Sequence, residues 1–264
     1  PPRSAAPLPR PGRGFPYLRS VCTVNLHRLA KERLEREMSI VPFQGGRRLR
    51  ILLAYPNTYA VGMSNLGMHT VYRMLNAHPE VSCERVFLPD PEELEEFRRS
   101  RTELFSLETQ TLAREFDVIA LSAAFENDYP NILTLLELAQ LPFRAADRDA
   151  RHPLLLMGGA TVSINPEPVA PFLDLCCLGE GEELVEPLVA ALLAAPSRTA
   201  LLEALADRAG VRIVVRAGRR WAAALRGNPS ARQRAGGDHQ GPRRFRRPRA
   251  GCRHRHPDPR HRVR

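Results

Sequence analysis

The sequence has little of what marks secreted, metal-bound or membrane-spanning proteins. Its five cysteines show no paired spacing, so neither a disulfide framework nor a zinc site is indicated. No apolar run approaches the roughly 18–20 residues that a membrane-spanning helix needs. The opening stretch, PPRSAAPLPRPGRGFP, is rich in proline and arginine and lacks the apolar core of a signal peptide. We therefore expect a cytoplasmic protein in a reducing compartment, with no membrane contact.

Positive charge is concentrated at the C-terminal end of the chain. The formal net charge is +10 over 264 residues. Residues 212–264 hold 17 arginines against two aspartates, which gives +15 and leaves −5 for residues 1–211. The body of the chain is therefore mildly acidic, and its apolar fraction of 43% is enough for a buried core.

Apolar segments and helix-like segments alternate from residue 48 onward. Continuous apolar strands are typical of a parallel sheet that is covered on both faces. The order therefore predicts an α/β fold with an open parallel sheet and helices on both faces. The predicted strands are 50–56, 84–89, 117–125, 153–159 and 174–179, and the predicted helices are 66–78, 91–100, 129–140 and 182–195.

The same segments define the expected domain organisation. Residues 1–20 are predicted to be a disordered leader. Residues 21–44 form a helical lead-in, because apolar residues recur there at helical spacing. The α/β domain spans 45–195, followed by a helical linker over 196–211 and an arginine-rich, disordered tail over 212–264.

The segment MGGATVSINPEPVAPFLDLCCLGEGEE, residues 157–183, places glycines at the ends of two predicted strands. Right-handed crossovers bring the carboxyl ends of all parallel strands to one edge, where ligands of such sheets bind. The glycines there allow a sharp turn or the close approach of a flat ligand. We expect the ligand edge to comprise residues 56–62, 122–128, 158–167 and 179–183.

The loop after the first strand, YPNTYAVGMSNLGMH, has glycines where nucleotide-binding folds place phosphate loops. It matches neither G-x-G-x-x-G nor G-x-x-x-x-G-K-[ST] and has no lysine, which disfavours phosphate binding. Ser64 or Asn65 as N-cap of the following helix is the interpretation that we favour.

Acidic residues follow two of the predicted strands. Glu126 and Asp128 are a carboxylate pair that could bind a metal or act in acid–base chemistry. We favour the structural alternative, in which Asp128 caps the next helix and Pro130 lies in its first turn. Glu180 precedes a helix with acids in its first turn, as the helix dipole favours, and it is also placed to hydrogen-bond a ligand.

The ordered set of segments resembles one protein family. From about residue 48 to 195 it resembles the N-terminal half of a family of radical S-adenosylmethionine (SAM) proteins, in which a cobalamin (B12)-binding-like domain precedes the catalytic barrel. The resemblance implies a flavodoxin-like, or Rossmann-like, five-stranded parallel sheet with a working or vestigial corrinoid pocket at its carboxyl edge. The segments that carry it are YPNTYAVGMSNLGMHTVYRMLN, CERVFLPD, LFSLETQ, FDVIALSAAFENDYPNILTLLELA, PLLLMGGATVSINPEPVAPFLDL and LGEGEE.

The resemblance also implies a set of cofactor-binding positions. Cobalamin domains of the best-known type carry D-x-H-x-x-G after the first strand; here Asn57 and Tyr59 replace the aspartate and the histidine, while Gly62 is retained. The position of the histidine holds Tyr59, whose phenol is a poor cobalt ligand. Histidine ligation at this position is therefore excluded. Cobalamin bound without a protein axial ligand and a vestigial pocket both stay open. The implied cofactor-binding residues are Asn57, Tyr59, Gly62, Ser64, Ser122, Gly158, Gly159, Asn165 and Glu180.

The catalytic part of such proteins has no counterpart in this sequence. The family binds a 4Fe–4S cluster through C-x-x-x-C-x-x-C, which leaves one iron free for SAM, and the motif does not occur here. We therefore predict no catalytic residue and no metal ligand in this chain, and no SAM cleavage by it alone. Cluster and SAM are expected only in full-length members, whose barrel is normally in the same chain.

The arginine-rich tail has three interpretations. We favour a GC-rich gene translated out of frame, because the tail lacks lysine and apolar periodicity. A solvated tail without function and a nucleic-acid contact through phosphates are the alternatives. The genomic sequence tests the first interpretation, since the shifted frame should reveal C-x-x-x-C-x-x-C.

The predicted function is that of a cobalamin-binding-like module of a radical SAM protein. It would hold a corrinoid or another small planar ligand, or shape the substrate channel of the barrel. The alternatives are a non-enzymatic flavin- or nucleotide-binding module and nucleic-acid binding through the tail. The residues do not select a substrate.

Overall fold

The predicted strands form one sheet. The computed structural model describes residues 24–38, 43–206 and 211–213. The first five strands are parallel, as predicted, and their order is β2-β1-β3-β4-β5; a short sixth strand that was not predicted pairs antiparallel with β5. The strands are β1 (Leu49–Tyr55), β2 (Val81–Phe87), β3 (Val118–Ser122), β4 (Leu154–Gly158), β5 (Leu175–Cys177) and β6 (Val211–Ile213).

Helices connect the strands at the predicted places. The four predicted helices of the domain correspond to α3, α4, α5 and α7, with ends within two residues of the prediction. Pro187 lies inside α7 and does not interrupt it. The helices are α1 (Leu26–Arg36), α2 (Tyr59–Met63), α3 (Leu66–Ala77), α4 (Pro91–Ser100), α5 (Tyr129–Leu138), α6 (Ala160–Ile164), α7 (Gly181–Ala194) and α8 (Arg198–Ala206).

The strands are apolar runs because both faces of the sheet are covered. All residues of β2 are buried, and so are those of β1 apart from Arg50. On one face α3 and α7 pack against each other, and right-handed crossovers place α4 and α5 on the other face. In β3 and β4 only the last residues, Ser122 and Gly158, are partly exposed, and they lie side by side at the carboxyl edge.

The direction in which successive strands are added to the sheet reverses between β1 and β3. The chain moves outward from β1 to β2, returns past β1 to β3, and then continues to β4 and β5. At such a reversal the connections leave neighbouring strands on opposite faces, which opens a crevice at the carboxyl ends of the strands. The end of β1 and the end of β3 therefore form the expected position of a ligand.

A buried charge network closes the outer edge of β2. The Arg85 side chain, 5% exposed, pairs with Glu37 at 2.7 Å and with Glu108 at 2.6 Å. The Tyr72 ring stacks under the guanidinium, and the Tyr72 hydroxyl donates to Glu108. The amide of Leu107 donates to the carbonyl of Arg85, so a loop covers this strand edge. The network also ties Glu37, next to α1, to the domain.

Several predicted segments lie outside the described residues. These are the leader over 1–20 and the tail beyond residue 213. In the predicted linker over 196–211, the structure contains α8 and the first residue of β6, while residues 207–210 are outside the described part.

Candidate functional site

Two hydrogen bonds cross the crevice between the ends of β1 and β3. Asn57 Nδ2 donates to Asp128 Oδ1 at 2.8 Å, and Asn131 Nδ2 donates to the Pro56 carbonyl at 2.9 Å. Asn57 Oδ1 accepts from the Thr58 amide at 2.8 Å, which determines how the Asn57 amide is turned. The loops that follow β1 and β3 are therefore held together.

Asp128 is a buried carboxylate in this crevice with one unused oxygen. The residue is 3% exposed, and Oδ2 has no hydrogen-bond partner. Asp128 occupies the predicted N-cap position of α5, but its side chain makes no capping hydrogen bond. Burial raises the pKa of the Asp128 carboxyl above its ordinary value, and the bond from Asn57 only partly opposes this. Burial and the Asp128 charge also raise the pKa of the neighbouring Tyr55 hydroxyl.

The loops after β3 and β4 are joined as well. The Tyr129 hydroxyl donates to the Asn165 carbonyl at 2.9 Å, and the Thr161 hydroxyl donates to the Ala123 carbonyl at 3.1 Å. Gly159 has a φ of +110°, and a Cβ at this position would lie 2.5 Å from the Ala123 carbonyl oxygen. Close approach of two backbone segments therefore requires the glycine here without any ligand.

Tyr59 and Gly62 pack against the end of β2. The Tyr59 hydroxyl donates to Glu37 at 2.9 Å, and its ring meets the Phe87 ring edge-on with centroids 5.2 Å apart. Burial, reinforced by Glu37, raises the pKa of Tyr59 to about 12. Gly62 is buried, and a Cβ on it would overlap the Phe87 ring. Both residues therefore have a packing role in the structure.

The N-cap of α3 is Asn65. Its side chain accepts a hydrogen bond from the Met68 amide at 2.8 Å, which confirms one of the two predicted caps. The Ser64 hydroxyl instead donates to the Val61 carbonyl at 2.7 Å. Since the Asn65 side chain already uses an amide at the start of α3, it reduces the number of donors that a phosphate could find there.

The remaining predicted cofactor-binding residues occur along the same edge. Ser122 and Gly158 are paired at the ends of β3 and β4, and a Cβ on Gly158 would make only an ordinary contact with Cys177. Asn165 is exposed after α6, and Glu180 is exposed at the N-cap of α7 without a capping bond. The predicted residues therefore lie at separate positions along the edge, and their role in binding stays a prediction.

Large apolar side chains are exposed along the carboxyl edge. Val61 and Leu66 follow β1, Phe125 follows β3, and Ile164 follows β4, with exposed fractions of 38%, 79%, 61% and 62%. Four of the six large apolar side chains that are exposed in the described part of the chain therefore lie on this edge, which makes it a candidate binding surface. We call these four residues the apolar rim.

The carboxyl edge is also acidic. The described loops 56–65, 123–128, 159–169 and 178–183 contain six carboxylates and no lysine, arginine or histidine. A negative potential of this kind repels phosphates and favours neutral or cationic ligands. The carboxylates are Glu126, Asp128, Glu167, Glu180, Glu182 and Glu183.

The described residues offer no site for a metal cluster. Within them, no group of three His, Cys, Asp or Glu side chains is placed to hold a metal ion. Cys83, Cys176 and Cys177 are buried, and burial raises the pKa of all three thiols, so they behave as core residues. None of the described helices has both the length and the apolar character to cross a membrane.

Several residues of this site were not predicted from the sequence. Tyr55 ends an apolar strand, and a polar ring at the last position of a buried strand was the signal for it. Asn131 lies in the first turn of α5, where an amide side chain can reach back to the preceding loops. Leu66 and Phe125 belong to the apolar rim, but exposure of an apolar side chain leaves no signal in the sequence alone.

Asp128→Asn is expected to raise the free energy of unfolding at neutral pH by about 1 kcal/mol. The variant keeps an acceptor for Asn57 and removes a buried charge. The effect is small because the amino end of α5 already offsets part of the free energy that burying the carboxylate costs. Urea denaturation of both proteins measures the difference.

The pH dependence of this effect has a definite sign. Because the pKa of Asp128 is raised in the folded protein, its contribution favours folding below the ordinary carboxyl pKa and is lost as the pH rises through the raised value. The advantage of Asp128→Asn should therefore disappear in acid. A variant less stable than wild type at neutral pH would contradict the prediction.

A comparison with protein families supports the radical SAM part of the resemblance seen in the sequence, and the cobalamin-binding part stays a prediction. A family model described as "Radical SAM proteins, N-terminal" matches residues 67–213, which is 147 of the 264 residues. Among curated proteins, no relative matches the chain. The matched region begins at the amino end of α3 and runs to the end of β6, so it contains most of the sheet. Full-length radical SAM proteins use SAM and a 4Fe–4S cluster. The chain therefore belongs to this family and contains its N-terminal region.

Proposed function

We propose that this chain is the corrinoid-binding N-terminal module of a radical SAM enzyme, and that the carboxyl edge of its sheet holds the corrinoid. The observation that carries the proposal is the apolar rim, whose four exposed side chains all follow the carboxyl ends of parallel strands. A corrin macrocycle is a broad, partly apolar plate, and its binding would remove such side chains from water.

The residues of the edge fit a corrinoid without a protein ligand to cobalt. The described edge loops contain no histidine, and the Tyr59 hydroxyl at the position of the family's ligand is a neutral phenol engaged with Glu37. The module would therefore hold the ring through its face and its polar substituents. A bound corrinoid would supply a cobalt centre that can carry a methyl group.

The charge of the edge supports a corrinoid over a flavin or a nucleotide. A phosphate near Gly62–Asn65 would meet Asn65 as an acceptor and the negative charge of Asp128 across the crevice. The ring of a corrin is surrounded by neutral amides, which an acidic and apolar edge can accept, and the one phosphodiester of cobalamin belongs to its nucleotide tail and not to the ring. The same edge is expected to disfavour flavin mononucleotide.

Phe125→Ser is expected to weaken the binding of hydroxocobalamin about tenfold, or roughly 1.4 kcal/mol. The substitution removes an exposed ring of the apolar rim that a corrin would cover. Equilibrium dialysis with hydroxocobalamin, followed by its visible absorbance, measures the affinity of the full chain.

Phe143→Ser is the matched control. Phe143 is also exposed, at 45%, but it follows the C-terminal end of α5, away from the carboxyl edge. It should leave the affinity unchanged. The proposal fails if wild-type protein neither retains hydroxocobalamin in dialysis nor carries it through a sizing column, or if flavin mononucleotide binds more tightly.

A further inference from the structure

Asp128 Oδ2 is a hydrogen-bond acceptor that the fold leaves unused. Asp128 is 3% exposed, and this oxygen has no partner, whereas Oδ1 accepts from Asn57 at 2.8 Å. Asn57 cannot turn to serve both oxygens, because its own Oδ1 accepts from the Thr58 amide. An unpaired buried acceptor is unfavourable unless something pairs with it.

Local structure does not account for this arrangement. The side chain makes no capping bond to α5, although the residue occupies the N-cap position. The edge loops described above contain no basic residue that could neutralise the carboxylate. Its position is also special, since it lies at the reversal between β1 and β3, where ligands of open α/β sheets bind.

We propose that Asp128 Oδ2 accepts a hydrogen bond from a primary amide of the ligand that binds at the carboxyl edge. Where the ligand lies rests on the proposed function. Which chemical group contacts Asp128 is argued separately, from the unpaired oxygen and the residues around it. A neutral N–H donor satisfies the oxygen, and the apolar rim nearby suits a ligand that also has apolar surface. Anionic groups are rejected, because a second acceptor would face the carboxylate.

The burial of Asp128 Oδ2 also explains how this carboxylate would select its ligand. Oδ2 is shielded from solvent beside the hydrogen bond that joins the loops after β1 and β3, so the ligand's donor has to part these loops to reach it. A donor that reaches a buried acceptor forms a stronger hydrogen bond than one at the surface, since the surrounding dielectric constant is low. Asn57 is the positioning residue that keeps Oδ2 free for the ligand.

The first test compares Asp128→Asn with Glu126→Gln in hydroxocobalamin dialysis. Both variants lose one negative charge from the same short turn, but Glu126 is exposed. In Asp128→Asn the introduced side chain can still accept from Asn57, while its NH₂ group takes the place of Oδ2 and opposes an amide donor. We expect Asp128→Asn to lose at least tenfold in affinity and Glu126→Gln to lose less than twofold. Equal losses, or none, would overturn the assignment of Asp128.

The second test does not depend on a corrinoid. Acetamide, a small primary amide, is titrated into isotope-labelled protein while backbone amide resonances are followed by NMR. Saturable shifts at residues 57, 58 and 128 are expected with acetamide but not with acetate, and they should be lost in Asp128→Asn. Without such shifts, the inference is wrong. If acetamide binds but hydroxocobalamin does not, the crevice inference stands and the corrinoid proposal fails.

Discussion

Arg85→Met is expected to lower the free energy of unfolding at neutral pH by about 3–5 kcal/mol. The Arg85 side chain is 5% exposed and serves both Glu37 and Glu108, which are themselves 12% and 4% exposed. Methionine fills part of the volume but leaves two carboxylates without their cation. Breaking one side of a buried ion pair is much more destabilising than replacing the whole pair. Chemical denaturation followed by circular dichroism measures the change.

Arg98→Met is the matched control for this prediction. Arg98 pairs with Glu137 at 2.9 Å, but both side chains are about half exposed. An exposed ion pair contributes about 0–1 kcal/mol, so this variant should remain close to wild type. Similar losses in the two variants would show that the buried network has no special role.

The effect of Arg85→Met should shrink as the pH falls. Burial already raises the pKa of Glu108 in the wild type, while Arg85 opposes that rise. Removing Arg85 raises this pKa further, so the variant is most stable below the ordinary carboxyl pKa and loses stability as the pH rises through the new value. A destabilisation that is constant with pH would contradict the ion-pair explanation.

Gly159→Ala is expected to lower the free energy of unfolding by about 3 kcal/mol. The backbone has φ +110° and ψ 176°, a region that essentially only glycine occupies. A Cβ would also lie 2.5 Å from the carbonyl oxygen of Ala123, and a backbone atom cannot move aside cheaply. Thermal and urea denaturation of the purified variant measure the loss.

Gly158→Ala distinguishes the role of Gly158 from that of the adjacent Gly159. A Cβ at Gly158 would lie 3.7 Å from the Cys177 Cβ, which is ordinary contact. It should cost less than about 1 kcal/mol, within the common range for single substitutions. If Gly159→Ala folded as stably as Gly158→Ala and lost only ligand binding, Gly159 would serve the ligand and not the fold.

The architecture of the domain could be predicted from the sequence because its signals are local. Apolar runs such as residues 50–56 must be buried on both faces, and helix signals between them require crossovers on both sides of a parallel sheet. The short β6 was missed, since three residues of an arginine-containing segment have no distinctive period. Pro187 lies inside α7 without interrupting it, although a proline inside a helix usually kinks or ends it.

The roles of individual site residues could not be predicted in the same way. Asp128 was placed correctly at the start of α5, but its pairing with Asn57 joins positions 71 residues apart. Tyr59 was placed in the expected cofactor loop, yet its hydroxyl contacts Glu37, 22 residues earlier in the chain. Such partners depend on the order of strands in the sheet and on where α1 packs.

Local patterns along the chain were enough to predict the parallel sheet, its carboxyl edge and the resemblance to radical SAM proteins, because apolar runs, turn residues and family segments are each read from neighbouring residues. The folded domain was needed to show which edge residues are exposed, which carboxylate oxygen stays unpaired and which glycine contacts neighbouring backbone. Those properties depend on distances between segments far apart in sequence, and close packing sets such distances only once the whole sheet has formed.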